Sequence, residues 1–183
     1  MALEPLPNVS MNTLNRLNTL GKEIDAVAGS CLLDASHIWN KVTLIESGVV
    51  RMFYLAIDGK EHNKNFFFEG DIFWPVTPSL QEKAAGFTIE ALSNVKAIQW
   101  HIDDFKSAFE SELEWLRFTL FWSDKLLDSK MQREQEWLQL PAKARYENLL
   151  KKHPDIVQRV PAHHIASFLG ITSVTLSRLK HAS

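Results

Sequence analysis

The chain has 183 residues, of which 45% are hydrophobic and 23% are charged, and its formal net charge is −2. This composition is ordinary for a globular protein and allows one large domain or two small ones. The sequence does not open with a basic stretch followed by an apolar run, and no segment holds the roughly 18 uncharged apolar residues of a membrane-spanning helix, so we expect a cytoplasmic protein.

The distribution of charge suggests a class of binding partner, and the cysteine content excludes one class of cofactor. Residues 1–129 carry 11 Lys/Arg and 18 Asp/Glu, whereas residues 130–183 carry 9 and 4, so the C-terminal part has a net charge of +5. A basic segment of this kind suggests a polyanionic partner. Cys31 is the single cysteine and cannot supply the thiolates of an iron–sulfur cluster. We expect it to be buried and inert.

The first half of the chain predicts one short helix followed by strands. MNTLNRLNTLGKEIDAV, residues 11–27, has the character of an N-terminal helix. Residues 30–102 then alternate with a period near two, and glycine-rich and polar pairs interrupt the apolar runs as turns do. We expect an antiparallel β-roll or jelly roll of about eight short strands.

A long helix is predicted next, because residues 103–138 contain neither proline nor glycine and Asp103 is a typical N-cap. Aromatic residues widen its apolar face beyond what a helix lying on one sheet needs. We expect it to pack on the roll and on a second copy of itself, and burial within its own chain is the alternative. The residues at spacings of three and four that would form the dimer interface are Leu113, Leu116, Leu120, Leu127 and Met131.

The C-terminal part predicts a helix-turn-helix. Pro141 ends the long helix, and AKARYENLLKKHP reads as a further amphipathic helix. In HHIASFLGITSVTLSRL, residues 163–179, Ala166 allows a close helix crossing, Gly170 suits the turn, and Thr172 can cap the second helix. Such a joint presents its second helix to the major groove of DNA. The positions that must bury apolar side chains hold Ile165, Leu169, Ile171, Leu176 and Leu179.

The second helix of this pair offers few base-reading side chains. Arg178 can make a bidentate contact to guanine, and Val174 can make an apolar contact, for instance to a thymine methyl. Any wing would come from residues 156–160. The candidates for base or phosphate contacts are Ser173, Thr175 and Ser177, and those for phosphate neutralisation are Lys180, His163, His164 and Arg159.

Nearly the whole chain resembles the Crp/Fnr regulators. LIESGVVRMFYLAIDGKE and FFFEGDIF look like the central hairpins of their β-roll and its Glu-Gly-Asp turn, and RVPAHHIASFLGITSVTLSRL looks like their DNA-reading unit. The resemblance implies an α+β fold with a cyclic-nucleotide-binding-like roll as sensor domain (1–105), a dimerisation helix (106–139) and a C-terminal winged helix-turn-helix (140–183). It implies a bacterial-type transcription regulator. Its partners would be palindromic double-stranded DNA, a second copy of the chain and RNA polymerase. Because the sequence contains no recognisable nucleophile-base-acid set and no Gly-rich phosphate loop, we expect no enzyme activity, and we expect no cofactor.

The roll departs from this family where a cyclic nucleotide would bind. The Gly-Glu pair that holds the ribose in the family falls here on Trp74 and Pro75, and the Arg-Ser pair for the phosphate falls near Ala85 and Gly86. Because a buried phosphate without a cationic or hydroxyl partner costs several kcal/mol, we expect no response to cyclic AMP. Phe73, Trp74 and Pro75 either line a degenerate apolar effector pocket or fill the core. Haem remains open as an effector through His37, His62 or His101.

The sequence also bears on two other functional classes. A cupin-type metal enzyme needs a His-x-His pair near a carboxylate, and the predicted strands hold no such pair. The remaining alternative is a sensory or protein-interaction module with a degenerate β-roll and no specific DNA readout. Such a module would behave indifferently to both salt and DNA sequence, whereas a regulator should lose DNA affinity steeply as salt rises.

Overall fold

The computed structural model describes residues 6–181. They form eight strands and eight helices; the strands lie within residues 22–101, and six of the eight helices follow them. The elements are α1 (Met11–Leu20), β1 (Lys22–Ala26), β2 (Cys31–Leu33), β3 (Lys41–Ser47), β4 (Val50–Leu55), β5 (Glu61–Phe67), β6 (Ile72–Phe73), α2 (Pro78–Glu82), β7 (Thr88–Ala91), β8 (Val95–His101), α3 (Ile102–Ser107), α4 (Glu112–Gln139), α5 (Ala142–Lys152), α6 (Ile156–Arg159), α7 (Ala162–Leu169) and α8 (Ser173–His181).

The strands pair antiparallel in two four-stranded sheets. Sheet A has the order β1-β8-β3-β6, and sheet B has the order β2-β7-β4-β5. Most neighbours within a sheet are distant in sequence, and β4 and β5 are the consecutive pair that forms a hairpin. The predicted α+β class with an antiparallel roll of about eight strands is confirmed.

Each sheet is apolar on both faces. Because side chains alternate across a strand, Val42 and Ile45 of β3 point in opposite directions. Ile45 lies between the two sheets, whereas Val42 and Trp100 face outward from sheet A against α1, α3 and α4. Phe66 and Phe68 lie on the outer face of sheet B, under the C-terminal helices. The protein therefore has three apolar layers, and helices cover the roll on both sides.

The first helix is shorter than the helix predicted over residues 11–27. Ser10 caps α1 by accepting the amide of Thr13 at 3.1 Å, and the helix ends at Leu20. At Gly21 an added Cβ would lie 2.6 Å from the Ile98 side chain, so the chain passes close to β8. It then pairs with β8 as β1. Strand pairing therefore replaces the last third of the predicted helix.

The single helix predicted over residues 103–138 consists of two helices. The N-cap of α3 is His101 and not Asp103, since the imidazole accepts the amide of Asp103 at 3.3 Å. A break follows, and Ser111 starts α4 by accepting the amide of Glu114 at 3.2 Å. A serine that hydrogen-bonds the backbone can separate two helices without proline or glycine.

The segment predicted to supply a wing is helical. Residues 156–160 form α6 and one extended residue, and no strand follows β8 within residues 6–181. The expected winged form is therefore not seen in that part of the chain, although α5, α7 and α8 lie where helices were predicted. The domain limits at 105 and 139 remain predictions. Residues 1–5 and 182–183 lie outside the part of the chain that the structure describes.

The turn between α7 and α8 has no room for a side chain. Gly170 has a φ of 66°, and a Cβ there would lie 2.2 Å from the Trp137 ring. Gly59 has a φ of 80°, with nothing within 4 Å of such a Cβ. We expect Gly59→Ala to lower the free energy of unfolding by about 1 kcal/mol through backbone strain alone, and Gly170→Ala to cost roughly twice as much because Trp137 must also move.

Urea unfolding of the two variants and the parent protein measures both losses. The variant Trp137→Leu provides a background in which the contact with the ring is removed. In that background the two glycine substitutions should cost the same. Equal losses in the parent background would contradict the assigned contact between Trp137 and the turn.

Candidate nucleic-acid interface

Backbone hydrogen bonds determine the joint between α7 and α8. The amides of Gly170 and Ile171 bond back to the carbonyls of Ser167 and Ala166 at 3.1 and 3.0 Å, a pattern that ends helices at a left-handed glycine. The hydroxyl of Thr172 then accepts the amide of Thr175 at 3.1 Å and caps α8. Both features occur at the positions that the sequence indicated.

Apolar side chains hold α8 on α7. Ala166 is buried where the two helices cross. The opposite side of α8 faces away from α7. The other predicted positions are either buried (Ile165, Leu169 and Leu176) or half-buried (Ile171 and Leu179).

The opposite side of α8, which we call the reading face, is exposed. Of the predicted contacts, Thr175 is half-buried and the rest of those on α8 are exposed. The helix carries no acidic residue and ends with three basic ones. Hydroxyl, guanidinium and apolar groups in this arrangement suit phosphate oxygens and base edges. The exposed members are Ser173, Val174, Ser177, Arg178 and Lys180.

The two adjacent histidines predicted to neutralise phosphates lie in different environments. His163 is exposed, whereas His164 is 7% exposed and points from α7 toward sheet B. The Nδ1 of His164 lies 3.1 Å from Nη1 of Arg51 and 3.3 Å from Nδ2 of Asn63. Burial, with the charge of Arg51, lowers the pKa of His164 to about 4. A buried neutral imidazole does not serve the role expected of His164, and the role of His163 remains a prediction.

Arg159 is also placed differently from the expectation. Its guanidinium bonds Glu69 of the roll at 2.5 and 2.8 Å, Asp155 at 3.2 Å and the carbonyl of Gly48 at 3.3 Å. The hydrogen bonds from Arg159 lower the pKa of Glu69 to about 2. In this arrangement Arg159 ties the C-terminal helices to the roll, and its guanidinium is occupied by carboxylates instead of being free for a phosphate.

The contact between α7 and sheet B is the feature that sequence reasoning missed. Ser167 accepts the amide of Asn63 at 3.0 Å and donates to the carbonyl of Glu61 at 2.9 Å. Arg133 of α4 donates to the carbonyls of Lys64 and Phe168, which links three elements. One signal was present in VVRMFYL, where a lone arginine interrupts an apolar strand. That signal indicated a buried charge but could not identify its partner.

The residues predicted for an effector pocket lie on opposite faces of sheet A. Phe73 lies between the sheets and stacks on Phe67 with 4.4 Å between ring centroids. Trp74 lies on the outer face, 5.6 Å from Phe118 of α4. Pro75 is buried as well. Phe73 and Trp74 therefore cannot line one common pocket, and both contribute to apolar layers of the core.

A cavity of about 430 Å³ opens at one end of the roll, beside the loop that follows β2. Phe73 lines it with Trp39, and Cys31 lies at the same cavity. Contrary to expectation, Cys31 is exposed. Partial burial of its sulfur, with the charge of Asp34, raises the pKa of the Cys31 thiol, so the thiol is protonated at neutral pH.

The long helix α4 has two apolar faces. Phe118 is fully buried, and Trp115 and Trp122 pack with it on sheet A. The other face carries the five residues predicted for dimerisation, and each of them is more than half exposed. We call this face the leucine stripe, and it consists of Leu113, Leu116, Leu120, Leu127 and Met131.

Residues 6–181 provide neither a cluster of metal ligands nor a membrane-spanning helix. No three His, Cys, Asp or Glu side chains there gather as ligands for a metal ion. No helix among residues 6–181 is long and apolar enough to cross a membrane. Of the histidines considered for haem, His37 and His62 are exposed, and His101 caps α3.

Comparison with solved structures reveals the fold. FixK2 from Bradyrhizobium japonicum superposes with a TM-score of 0.76 at 16% identity, over 88% of this chain and 83% of that chain. The c-di-GMP-responsive global regulator CLP from Xanthomonas campestris gives a TM-score of 0.73 at 12% identity, over 94% and 91% of the two chains. A protein described as a Crp/Fnr-family transcriptional regulator from Eubacterium rectale gives 0.68 at 16% identity, over 98% and 86%.

No protein-family profile and no curated protein matches the sequence. The structural matches nevertheless extend over most of both chains, so the similarity includes the roll, the long helix and the C-terminal helices together. The chain has a Crp/Fnr-like fold, as the resemblance implied.

The cap of α8 provides a test of the joint. We expect Thr172→Ala to lower the free energy of unfolding by about 1 kcal/mol, because the amide of Thr175 loses its acceptor. Ser177→Ala is the matched control, since Ser177 is exposed within the same helix and alanine favours helix. Urea unfolding measures both variants. A loss with Ser177→Ala as large as that with Thr172→Ala would contradict the capping role.

Proposed function

We propose that this protein is a sequence-specific DNA-binding transcription regulator of Crp/Fnr type. The observation that supports the proposal most directly is the reading face. A helix-turn-helix joint holds α8 on α7 and leaves Arg178, Val174 and the serines exposed. Proteins of similar structure include the global regulator CLP and a catabolite activator protein from Thermus thermophilus, which supports the same class of function.

The leucine stripe supports a homodimer. An exposed row of large apolar residues along a 28-residue helix is costly in water, and a second copy of the same helix would cover it. A two-fold dimer of this kind would place its two reading faces on half-sites about 34 Å apart, which is the spacing of a palindromic operator.

The roll supports a regulator that does not respond to cyclic AMP. Trp74 packs against α4 where the family resemblance places the ribose-binding pair. Ala85 is buried near the expected phosphate position, and Lys83 is exposed. A cyclic phosphate there would be buried without a cation or hydroxyl, at a cost of several kcal/mol.

Selection of bound fragments from random duplex DNA, at two salt concentrations and without added ligand, tests the proposal. We expect enrichment of a palindrome and a steep loss of binding at the higher salt. Binding without enrichment would favour the alternative, a sensory or protein-interaction module with a degenerate roll. The same selection repeated with cyclic AMP should give unchanged enrichment.

Arg178 is expected to read a base. Arg178→Ala should reduce discrimination against a mutated half-site by about 1 to 3 kcal/mol, because a bidentate guanine contact is lost. Lys180→Ala is the comparison, since loss of a phosphate contact weakens binding to all sequences alike and lowers the salt slope by about one. Fluorescence anisotropy with matched and mutated sites measures both effects. Unchanged discrimination in Arg178→Ala would remove this residue from the reading role.

The leucine stripe is expected to hold the dimer together. Leu120→Asp should weaken dimerisation by about 3 kcal/mol or more, roughly a hundredfold, because two carboxylates would be buried at the interface. Ser129→Asp is the matched control, since Ser129 is exposed on the same helix outside the stripe. Sedimentation at several concentrations measures the dissociation constant. A Leu120→Asp protein that remains a dimer would refute the assignment of the stripe.

A further inference from the structure

A polar cluster is buried between sheet B and α7. Arg51 of β4 is 3% exposed and pairs with Glu61 of β5 at 2.5 Å and with Glu90 of β7 at 3.0 Å. Its remaining donor on Nη1 lies 3.1 Å from the Nδ1 of His164. The helix-turn-helix unit thus supplies one acceptor to a charged group that belongs to the roll.

Arg51 requires His164 to be neutral. Arginine can only donate hydrogen bonds, so Nδ1 accepts from Nη1 of Arg51 with its single lone pair, and Nδ2 of Asn63 lies 3.3 Å from the same nitrogen. Protonation would put an N–H where these two donors point. It would also bury a second positive charge beside Arg51, which costs far more than an exposed charge.

We propose that His164 is a positioning residue that locks the helix-turn-helix unit onto sheet B with the reading face outward, so that mild acid loosens the lock. This inference rests on the proposed DNA-binding function. Docking fixes the orientation of the exposed reading face before DNA arrives, so it should favour DNA binding through preorganisation. Polar groups that fit in one register only are a way of fixing one orientation of two packed units.

The sign of the pH dependence follows from the groups around His164. Burial, Arg51 and His163 lower the pKa of His164 to about 4, and Glu61 opposes them. In an undocked unit the pKa of the imidazole would return to its ordinary value of 6.5. The docked state therefore binds fewer protons, so docking is strongest above pH 6.5 and weakens by up to about tenfold per pH unit as the pH falls toward 4. Glu90 pairs with Arg51 and keeps that charge in place.

Two substitutions separate the hydrogen bond from simple packing. His164→Gln keeps an acceptor that cannot be protonated, and His164→Phe keeps a ring without an acceptor. We expect His164→Gln to bind DNA at pH 7.5 like the parent protein, and His164→Phe to bind at least tenfold more weakly at every pH. His62→Gln is the matched control, because His62 is exposed and adjacent to Asn63 on β5.

The DNA readout is the affinity of the parent protein divided by the affinity of His164→Gln, measured at several pH values from 7.5 to 5. Exposed histidines gain charge in acid and strengthen DNA binding in both proteins, so the ratio cancels them. We expect the ratio to fall in acid, and we expect parent and His62→Gln to behave alike. Parallel profiles of parent and His164→Gln would overturn the proposal, and so would tighter binding by His164→Phe, which would make the contact inhibitory.

Docking itself is measured without DNA by thiol labelling in a Cys31→Ser background. Val49→Cys places a buried thiol in the layer between sheet B and the C-terminal helices, and Ala97→Cys places one between the two sheets. With a pyridyl disulfide that reacts in acid, and after correction for intrinsic thiol reactivity, labelling at 49 should rise several-fold to tenfold per pH unit below about 6, while labelling at 97 stays constant. In His164→Gln the rise at position 49 should disappear.

A flat profile at position 49 in the parent background, or an equal rise at position 97, would overturn the lock. If the parent protein binds no DNA in the selection, the proposed function fails, and the labelling still decides whether His164 controls docking. The two failures are therefore distinguishable.

Discussion

The roll has two sheets that are each apolar on both faces, and the rest of the structure depends on covering them. One outer face takes α1, α3 and α4, and the other takes the helix-turn-helix unit. Neither set of helices is a separate module joined by a linker alone, because each completes an apolar layer that the roll begins. Burial of the outer faces of sheets A and B thus determines where the long helix and the C-terminal unit lie.

The features predicted well from the sequence were those determined by local chemistry. Period-two alternation identified the strands, and the spacing around Gly170 identified the helix-turn-helix joint. The failures arose where distant residues compete with local preference. Residues 22–26 read as helix but pair with β8, and the break before α4 depends on one serine in a segment that otherwise favours helix throughout.

In the candidate site, too, local sequence predicts some features, and contacts with distant residues determine the others. The exposure of Arg178 and its neighbours on α8 follows from the joint, which the sequence predicts. The burial of His164 and the pairing of Arg159 with Glu69 depend on sheet B lying under α7, and no pattern within α7 contains that information. A basic residue near a DNA-binding helix can face the phosphates or the protein, and only the packed structure distinguishes the two.

The bonds of Arg133 have a mechanical consequence. Its guanidinium joins α4 to β5 and to the end of α7, so in the docked arrangement the long helix, the roll and the helix-turn-helix unit should move as one body. In a dimer built on α4, the angle between two such bodies would be set at the helix pair. Each base pair inserted between half-sites rotates one of them by about 34° around the DNA axis. If the proposed dimer binds DNA with its C-terminal units docked, it has no soft joint that could follow that rotation, so its sites should tolerate changes of base more readily than changes of length.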